Sequence, residues 1–485
     1  MKPPSRDVWI PAAVAAVLLA AAVAALAAWR AHDPAAGIAP RLPGADGRPA
    51  GTEIAAEKVA VGEIFEDSGW RPPPRPEPLP GSWPRFRGPD FDNISKEKIP
   101  LADRWPEGGP KVLWSLDLGE GYAAAAVHRG RVYVLDYDEK RKADALRCLS
   151  LENGREIWRR AYRVKVPRNH GMSRTIPAVN DQVVVTLGPR SHVMAVDPDS
   201  GALRWTLDLE RDFGTKTPLW YAGQCPLLDG PAAVLAPGGK DALLMGVEAA
   251  TGRILWRTPN PRGWGMSHSS IMPMTLKGKR MYVYCALGGI AGISAGPEDA
   301  GRLLWELPDW NPQVVVPSPL ILQDGLVFVT AGYSAGGLLF RVTEKDGRYE
   351  ARTLRRLSPS EGLSSEQQTP VFHQGRVFAV LPKDAGALRQ QFACALPDDP
   401  GRIVWSSGKQ KRFGLGPYLL ADGKFFILDD DGVLTTVRAD PDRYEELAEV
   451  RVLRGPDAWG PIALAGGRMI LRDARRMICI DARRS

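Results

Sequence analysis

Apolar and polar positions along most of this chain alternate in short runs, and the runs come in pairs. Each pair has the order apolar run, turn containing Gly or Asp/Asn, apolar run, which predicts a β-hairpin because these residues favour tight turns. Eight such hairpins follow one another: Ala126–Leu135, Pro177–Leu187, Cys225–Leu235, Met272–Ala286, Pro319–Thr330, Pro370–Val380, Pro417–Leu428 and Pro461–Leu471. The pattern predicts an all-β protein built from eight repeats.

A second pattern, Gly-x-x-x-Trp, falls in the other half of most repeats. It occurs at Gly154/Trp158, Gly201/Trp205, Gly252/Trp256, Gly301/Trp305 and Gly401/Trp405. Counted from Trp114, the successive tryptophans are 44, 47, 51, 49 and 100 residues apart, and the last step is two periods with a degenerate copy between them. A repeat of roughly 40–50 residues is typical of one four-stranded propeller blade. The fold is predicted to be an eight-bladed β-propeller.

The two ends of the repeat array complement each other. The last repeat ends with Met477–Asp481, where a turn and a Trp-containing strand should follow. Lys111–Leu118 has the Trp pattern but no preceding partner strand. We therefore expect this N-terminal strand to complete blade eight, which would leave the ring without an open edge.

The N-terminal segment predicts a membrane anchor. Val8–Ala28 is an uncharged run of 21 residues, which as a helix would span about 31 Å, enough for a bilayer core. Lys2 and Arg6 precede it, so the N-terminus should stay cytoplasmic and the remainder be exported. Cleavage after Ala25–Ala27 is the alternative and would give a secreted protein.

These patterns divide the chain into three parts. Residues 1–30 form the anchor or signal segment, with its helix at about 8–28, and residues 31–80 form a Pro-rich tether. Residues 81–485 form the propeller. The expected location is the inner membrane, crossed once, with the propeller on the periplasmic side.

Charge and cysteine usage exclude several functions. The formal net charge of +7 is spread thinly, and the one dense basic stretch, Lys409–Arg412, is short, so no nucleic-acid partner is predicted. The five cysteines lie singly in predicted strands, without C-x-x-C or adjacent pairs. This spacing indicates buried thiols rather than a disulfide framework, a zinc site or attached haem.

Specific motifs resemble a known family. Trp83–Asp90 reads W-P-R-F-R-G-P-D and is followed by G-x-G-Y at Gly119–Tyr122. Together with the repeats at Asp197–Trp205 and Ala250–Trp256, they resemble bacterial pyrroloquinoline quinone (PQQ)-like β-propeller repeat proteins. That superfamily includes eight-bladed quinoprotein alcohol dehydrogenases and an outer-membrane assembly lipoprotein. The resemblance covers roughly residues 81–485 and implies the fold, but it does not imply one activity.

The resemblance also implies what a quinone enzyme would need here. PQQ requires a divalent cation on carboxylate and amide oxygens, Arg or Lys near its quinone oxygens, aromatic rings for stacking, and a carboxylate base. Quinoprotein alcohol dehydrogenases add a disulfide between adjacent cysteines above the cofactor and a Trp below it. This chain lacks adjacent cysteines and the long loops that build those sites. We expect no cofactor, no metal and no catalytic residue, with PQQ plus calcium as the alternative.

The loops that enter the innermost strands should converge around the propeller axis. They supply aromatic, amide and basic side chains, with Glu366 as the only carboxylate. The predicted funnel residues are Tyr122, His170, Arg174, Trp220, Tyr221, Gln224, Trp264, His268, Gln368 and Trp459. Such a set suits recognition of a polar ligand or an extended peptide.

The sequence leaves three functional hypotheses. The first is a non-catalytic, membrane-tethered binding or scaffolding propeller that takes a protein partner or a polar ligand at its funnel. The second is a PQQ-dependent oxidoreductase of the quinoprotein alcohol dehydrogenase type, for which Glu366 and Arg174 are the only hints. The third is a partner-binding module similar to the outer-membrane assembly factor, although no Cys for lipidation lies near the N-terminal segment.

Overall fold

The computed structural model describes residues 17–24, 27 and 79–484. The chain divides into two compact units, Met1–Ile54 and Ala55–Ser485. In the first unit, residues 17–24 are helical and exposed. None of the helices formed by the described residues has the length and apolar character needed to cross a bilayer. Most of the predicted anchor and of the predicted tether lies outside the described residues.

The second unit contains an all-β propeller. The described residues form eight sheets, each containing four antiparallel strands; one sheet has a fifth, parallel strand, Ile94–Ser95, beside Tyr418–Ala421. We number the blades by chain order. Strands are given from first to fourth in each blade. Blade 1 contains Ala126–His128, Arg131–Asp138, Ala143–Ser150 and Glu156–Arg163, and blade 2 contains Ala178–Val179, Val184–Leu187, His192–Val196 and Leu203–Asp208. Blade 3 contains Leu227–Asp229, Ala232–Leu235, Met245–Glu248 and Ile254–Arg257, and blade 4 contains Met272–Leu276, Lys279–Ala286, Gly289–Ser294 and Leu303–Leu307.

The remaining blades follow the same plan. Blade 5 contains Leu320–Ile321, Leu326–Ala331, Gly336–Lys345 and Arg348–Leu357. Blade 6 contains Val371–His373, Arg376–Val380, Phe392–Ala395 and Ile403–Ser406. Blade 7 contains Tyr418–Ala421, Lys424–Leu428, Val433–Arg438 and Glu446–Arg451. Blade 8 contains Ala463–Ala465, Arg468–Arg472, Arg476–Asp481 and, from the N-terminal side, Val112–Asp117. A helix at Leu209–Phe213, a 3₁₀ turn at Gly386–Leu388 and a short strand at Ile94–Ser95 complete the elements.

The predicted closure of blade 8 is confirmed. Val112–Asp117 pairs antiparallel with Arg476–Asp481, and Trp114 lies opposite Cys479. The first strand of blade 1 contacts the first strands of both blade 8 and blade 2. Pairing of the two ends removes the open edge that an incomplete eighth blade would expose.

The Gly-x-x-x-Trp pattern is an interlock between neighbouring blades. The glycine of one blade lies against the tryptophan ring of the preceding blade. A Cβ atom on Gly252 would lie 2.8 Å from the Trp205 ring, closer than packed atoms approach. The Trp205 indole donates a hydrogen bond of 2.8 Å to the Ala249 carbonyl. The same contact joins Gly154 to Trp114, Gly201 to Trp158 and Gly301 to Trp256.

The degenerate repeats depart from this interlock at defined positions. Gly401 of blade 6 faces the Arg355 guanidinium, which takes the place of a tryptophan on blade 5. Arg355 also pairs with Asp399 of blade 6. The Trp405 indole donates to the Asp440 carbonyl of blade 7, where no matching glycine occurs. At both interfaces the preceding blade still contributes one large side chain. That side chain is Arg355 in place of a tryptophan at one interface, and Trp405 without a facing glycine at the other.

The W-P-R-F-R-G-P-D segment crosses the central channel, which the sequence did not predict. Trp83 exchanges two backbone hydrogen bonds of 2.8 Å with Val127 in blade 1. The buried Arg87 guanidinium donates to the carbonyls of Thr369 and Pro370 at blade 6. Further bonds reach the first strands of blades 2, 3 and 7. We call residues 83–95 the plug, because they bond to first strands around the ring.

We predict that the Trp interlock, more than glycine conformation, makes Gly252 intolerant of substitution. Gly252→Ala adds a methyl group against Trp205, whereas Gly230→Ala adds one in open space at a similar positive φ in the same blade. Gly252→Ala should therefore cost about 1–3 kcal/mol more of unfolding free energy than Gly230→Ala, the range for overpacking. Denaturant unfolding of both variants measures the difference. Equal losses would mean that the Trp contact contributes nothing.

Candidate functional site

All eight inter-blade loops meet around one cavity on the axis. Its volume is about 230 Å³. From blades 1 to 8 in order, the loop entering each first strand contributes Tyr122, Arg174, Trp220, His268, Val316, Gln368, Leu415 and Trp459 to the lining. Phe86 of the plug also lines the cavity, so the plug closes its inner end. We call this cavity the funnel.

Seven of the ten predicted residues line the funnel. They are Tyr122, His170, Arg174, Trp220, His268, Gln368 and Trp459. The other three lie behind the lining. The Tyr221 hydroxyl donates to the Pro167 carbonyl, and the Gln224 amide bonds to Tyr284 and the Ala236 amide. Trp264 packs on the backbone of Gly288 and Gly289. Ligand binding by any of the ten stays a prediction.

Three lining residues were not among the predicted ten and had little sequence signal. Tyr333 lies in a turn after the second strand of blade 5, and Lys383 follows the second strand of blade 6. In the sequence, these two turns have the pattern of ordinary connections between adjacent strands of one sheet. Phe86 belongs to the motif at residues 83–90, whose place in the channel depends on long-range contacts. Glu366 and Gln367, which the loop positions did indicate, also line the funnel.

Two groups of aromatic rings face the funnel. Trp220 stacks between His268, at 6.1 Å and 27° between planes, and Tyr333, at 5.6 Å and 30°. The second group is Tyr122 and Trp459, whose ring centroids are 5.0 Å apart. Stacked rings present flat apolar faces with little conformational freedom to lose. The arrangement suits a ligand with a planar portion.

Several of these side chains stand on strained backbone. His170, Trp220 and Tyr333 have φ values of 49°, 61° and 56°, in the left-handed region that bulky residues avoid. Each such residue costs about 1–3 kcal/mol and persists only where the surroundings impose it. The Trp220 indole N–H is also buried without an acceptor among the described residues. These three are among eighteen non-glycine residues with positive φ in the described part of the chain, and all three line the funnel.

The basic groups of the funnel differ in charge state. Burial lowers the pKa of His268 to about 3, and the nearby Arg174 cation adds to this effect, so its imidazole is neutral at ordinary pH. Burial lowers the pKa of Arg174 only to about 10, so its guanidinium stays charged. Arg174 lies over the Tyr122 ring at 5.1 Å, and Lys383 lies over Trp459 at 5.9 Å. The funnel thus presents two cations beside aromatic faces.

Carboxylates are scarce in the lining. Glu366 is the only one, and burial raises its pKa although Lys383 opposes this. Across residues 79–484, no group of three or more His, Cys, Asp or Glu side chains is arranged to hold a metal ion. Cys225 is the only lining cysteine, and burial raises the pKa of its thiol to about 11. The described donor set therefore does not fit a calcium–quinone centre, even though the cations and rings would suit a planar anion.

A buried polar cluster holds the funnel loops of blades 1 and 2 together. The Tyr122 amide donates to the Ser173 carbonyl at 2.7 Å. The Ser173 hydroxyl contacts the Asp144 carboxyl at 3.4 Å, and the Tyr162 hydroxyl donates to that carboxyl at 3.0 Å. Burial raises the pKa of Asp144 to about 7, although the bonds from Tyr162 and Ser173 lower it. The position of Tyr122 thus depends on a carboxyl group that titrates near neutral pH.

Comparison with known proteins agrees with this architecture. The family model described as outer membrane protein assembly factor BamB (PQQ_2) matches residues 107–224 and 190–392, more than half of the chain. The chain belongs to this family. The match lies within the propeller and ends at residue 392 in blade 6, so it does not include blade 7 of this family member. No curated protein gives a significant match.

Solved structures share the propeller fold of this family member at low identity. The quinohemoprotein alcohol dehydrogenase from Comamonas testosteroni is 12% identical, with a TM-score of 0.56 over 84% of this chain and 81% of that one. A europium-containing methanol dehydrogenase is 11% identical, with a TM-score of 0.55 over 81% and 89%. BamB from Moraxella catarrhalis is 12% identical, with a TM-score of 0.47 over 76% and 99%. The first two similarities show the fold alone.

We predict that Asp144 makes the propeller less stable as the pH rises. Its pKa is about 7 when folded and about 4 when unfolded. The unfolded state therefore loses this proton first between those values, and the unfolding free energy falls. Asp144→Asn should remove this loss. The unfolding free energy of the variant, relative to that of the wild type, should therefore rise by on the order of 2 kcal/mol from pH 5 to pH 8. Thermal unfolding at both pH values measures it.

Asp197→Asn is the control for this pH dependence. Burial raises the pKa of Asp197, but hydrogen bonds from Ser200 and Arg204 outweigh it and hold the pKa at about 2. The stabilisation from Asp197 is therefore fully present above the unfolded pKa and constant between pH 5 and pH 8. Asp197→Asn should cost the same at both pH values. An Asp144→Asn variant with the same constant offset would contradict the prediction.

Proposed function

We propose that this chain is a non-catalytic binding propeller whose funnel holds a ligand with a planar portion. The supporting observation is the convergence of Trp220, Tyr333 and His268 in one stack at a cavity closed by the plug, with Trp220 and Tyr333 at positive φ. A cavity with apolar faces and a few convergent polar groups is the usual form of a small-molecule site.

The chemistry of the lining supports binding rather than turnover. A general base needs a carboxylate or imidazole that can take a proton near neutral pH. His268 cannot take a proton near neutral pH because its pKa is lowered to about 3, and Glu366, whose pKa is raised by burial, is the one carboxylate in the described lining. The donor set for calcium and quinone is incomplete, as described above. A PQQ-dependent oxidoreductase is therefore the less supported alternative.

The location belongs to the same proposal. We place the propeller outside the cytoplasmic membrane, held by an uncleaved N-terminal helix, on the strength of the apolar run Val8–Ala28 and the positive residues before it.

The family description adds a second candidate function, a scaffold that presents its outer surface to a protein partner. Such a scaffold would not need the Trp220 stack, which separates the two candidates.

The first prediction concerns the stack. In ligand-detected NMR with a library of planar polar compounds, the full-length chain should bind a subset, and Trp220→Leu should weaken that binding about tenfold because stacking and apolar contact are both lost. Tyr349→Leu, on the outer strand of blade 5, is the matched control and should bind as the wild type does. Equal binding by both variants would place the ligand elsewhere.

The second prediction concerns catalysis. Titration of the full-length chain with PQQ and calcium should give no dye-linked oxidation across a panel of alcohols, and any change in cofactor absorbance should be the same with and without calcium. The physical reason is the missing set of carboxylate and amide ligands around the only lining carboxylate, Glu366. Saturable binding with turnover would overturn the non-catalytic assignment and make the funnel a catalytic site.

A further inference from the structure

Arg174 stands in the funnel wall without a carboxylate partner. Its pKa is lowered by burial, and the opposing groups are the hydroxyls of Tyr122, Tyr333 and Tyr221, with no Asp or Glu among them. One terminal nitrogen donates to the His170 and Gly171 carbonyls. The Nε atom is buried and has no acceptor among the described residues. A buried cation with an unused donor costs free energy that a bound anion would recover.

The acidic groups around the funnel are engaged elsewhere. Glu120 pairs with Arg168 and Arg475, both at 2.8 Å. Asp430 accepts bonds from the Trp459 indole and the Leu415 amide at 2.7 and 2.8 Å.

The remaining carboxylates face other cations or amides. Asp384 accepts a bond from the Ser334 amide at 2.6 Å. Burial raises the pKa of Asp457, and His170 and Lys383 oppose that rise; Lys383 also opposes the raised pKa of Glu366. None of the described carboxylates lies within ion-pair distance of Arg174.

From these contacts we infer that the funnel selects a ligand in which a planar ring carries an oxyanion, a carboxylate or a phosphate, that pairs with Arg174. This inference rests on the proposed binding function and adds the ligand's charge. Guanidinium groups bind carboxylate and phosphate through paired N–H donors, and such charge-assisted bonds are stronger than neutral ones. The ring would lie against the Trp220 stack, within the same lining as Arg174.

The test uses three probes that share one ring system. Naphthalene-2-carboxylate, 2-naphthyl phosphate and naphthalene-2-carboxamide are titrated into the full-length chain by calorimetry. The wild type should bind at least one anionic probe about 10–100-fold more tightly than the carboxamide, the range for a hydrogen bond to a charged group. The tighter of the two anions identifies the oxyanion. A carboxamide that binds as tightly as both anions would overturn the inference while leaving the funnel a binding site.

Variants at Arg174 give an independent readout. Arg174→Met should remove the preference for the anion and leave the carboxamide affinity within about twofold of the wild-type value. Arg174→Lys should keep part of the preference because it retains the charge. Arg168→Met is the matched control: it removes a charge from the same loop, and Arg475 still pairs with Glu120. Equal weakening of all three probes by Arg174→Met would show a structural role only and overturn the inference.

The outcomes separate this inference from the proposed function. About tenfold weaker binding of all three probes to Trp220→Leu, together with retained carboxamide binding in Arg174→Met, would support both. Failure of all three probes to bind the wild type would overturn the proposed function and this inference with it. The comparison of anion with carboxamide in the wild type does not depend on whether any variant folds.

Discussion

The contact between a tryptophan of one blade and a glycine of the next is the interaction on which the rest of the structure depends. A propeller blade is a small twisted sheet that cannot bury both faces alone, so stability comes from stacking on its neighbours. Gly201, Gly252 and their equivalents leave room for an indole where any side chain would collide. At the four interfaces that have it, the interlock sets the spacing between blades, and the contact of Gly154 with Trp114 does so where blade 1 meets blade 8.

Closure of the ring has a direct consequence for the axis. Eight loops are brought to one end of a channel, and each contributes at least one side chain to the funnel. The plug fills the other end, where Arg87 satisfies backbone carbonyls of blade 6 that would otherwise face the channel. A rigid ring can impose positive φ on Trp220 and Tyr333, because the strain is small compared with the packing that surrounds it.

The candidate site could be predicted only in part, and particular residues show why. The sequence correctly predicted that Tyr122, Arg174 and Trp459 line the funnel, because the loop before each first strand must approach the axis. Trp264 lies in such a loop but turns back onto Gly288 and Gly289, where small residues leave space for its ring. Loop position predicts which segment reaches the axis, but the packing behind the loop decides which side chain points into the funnel.

The sequence by itself determined the blade number, the four-stranded unit and the pairing of the two ends of the repeat array, because these follow from local periodicity and from the need to leave no open strand edge. Only the tertiary structure decided the role of the motif at residues 83–90, which contacts strands distant in sequence and closes the funnel. It also decided that no carboxylate of the described residues pairs with Arg174. Ion pairing depends on distances between loops of different blades, which sequence spacing does not encode.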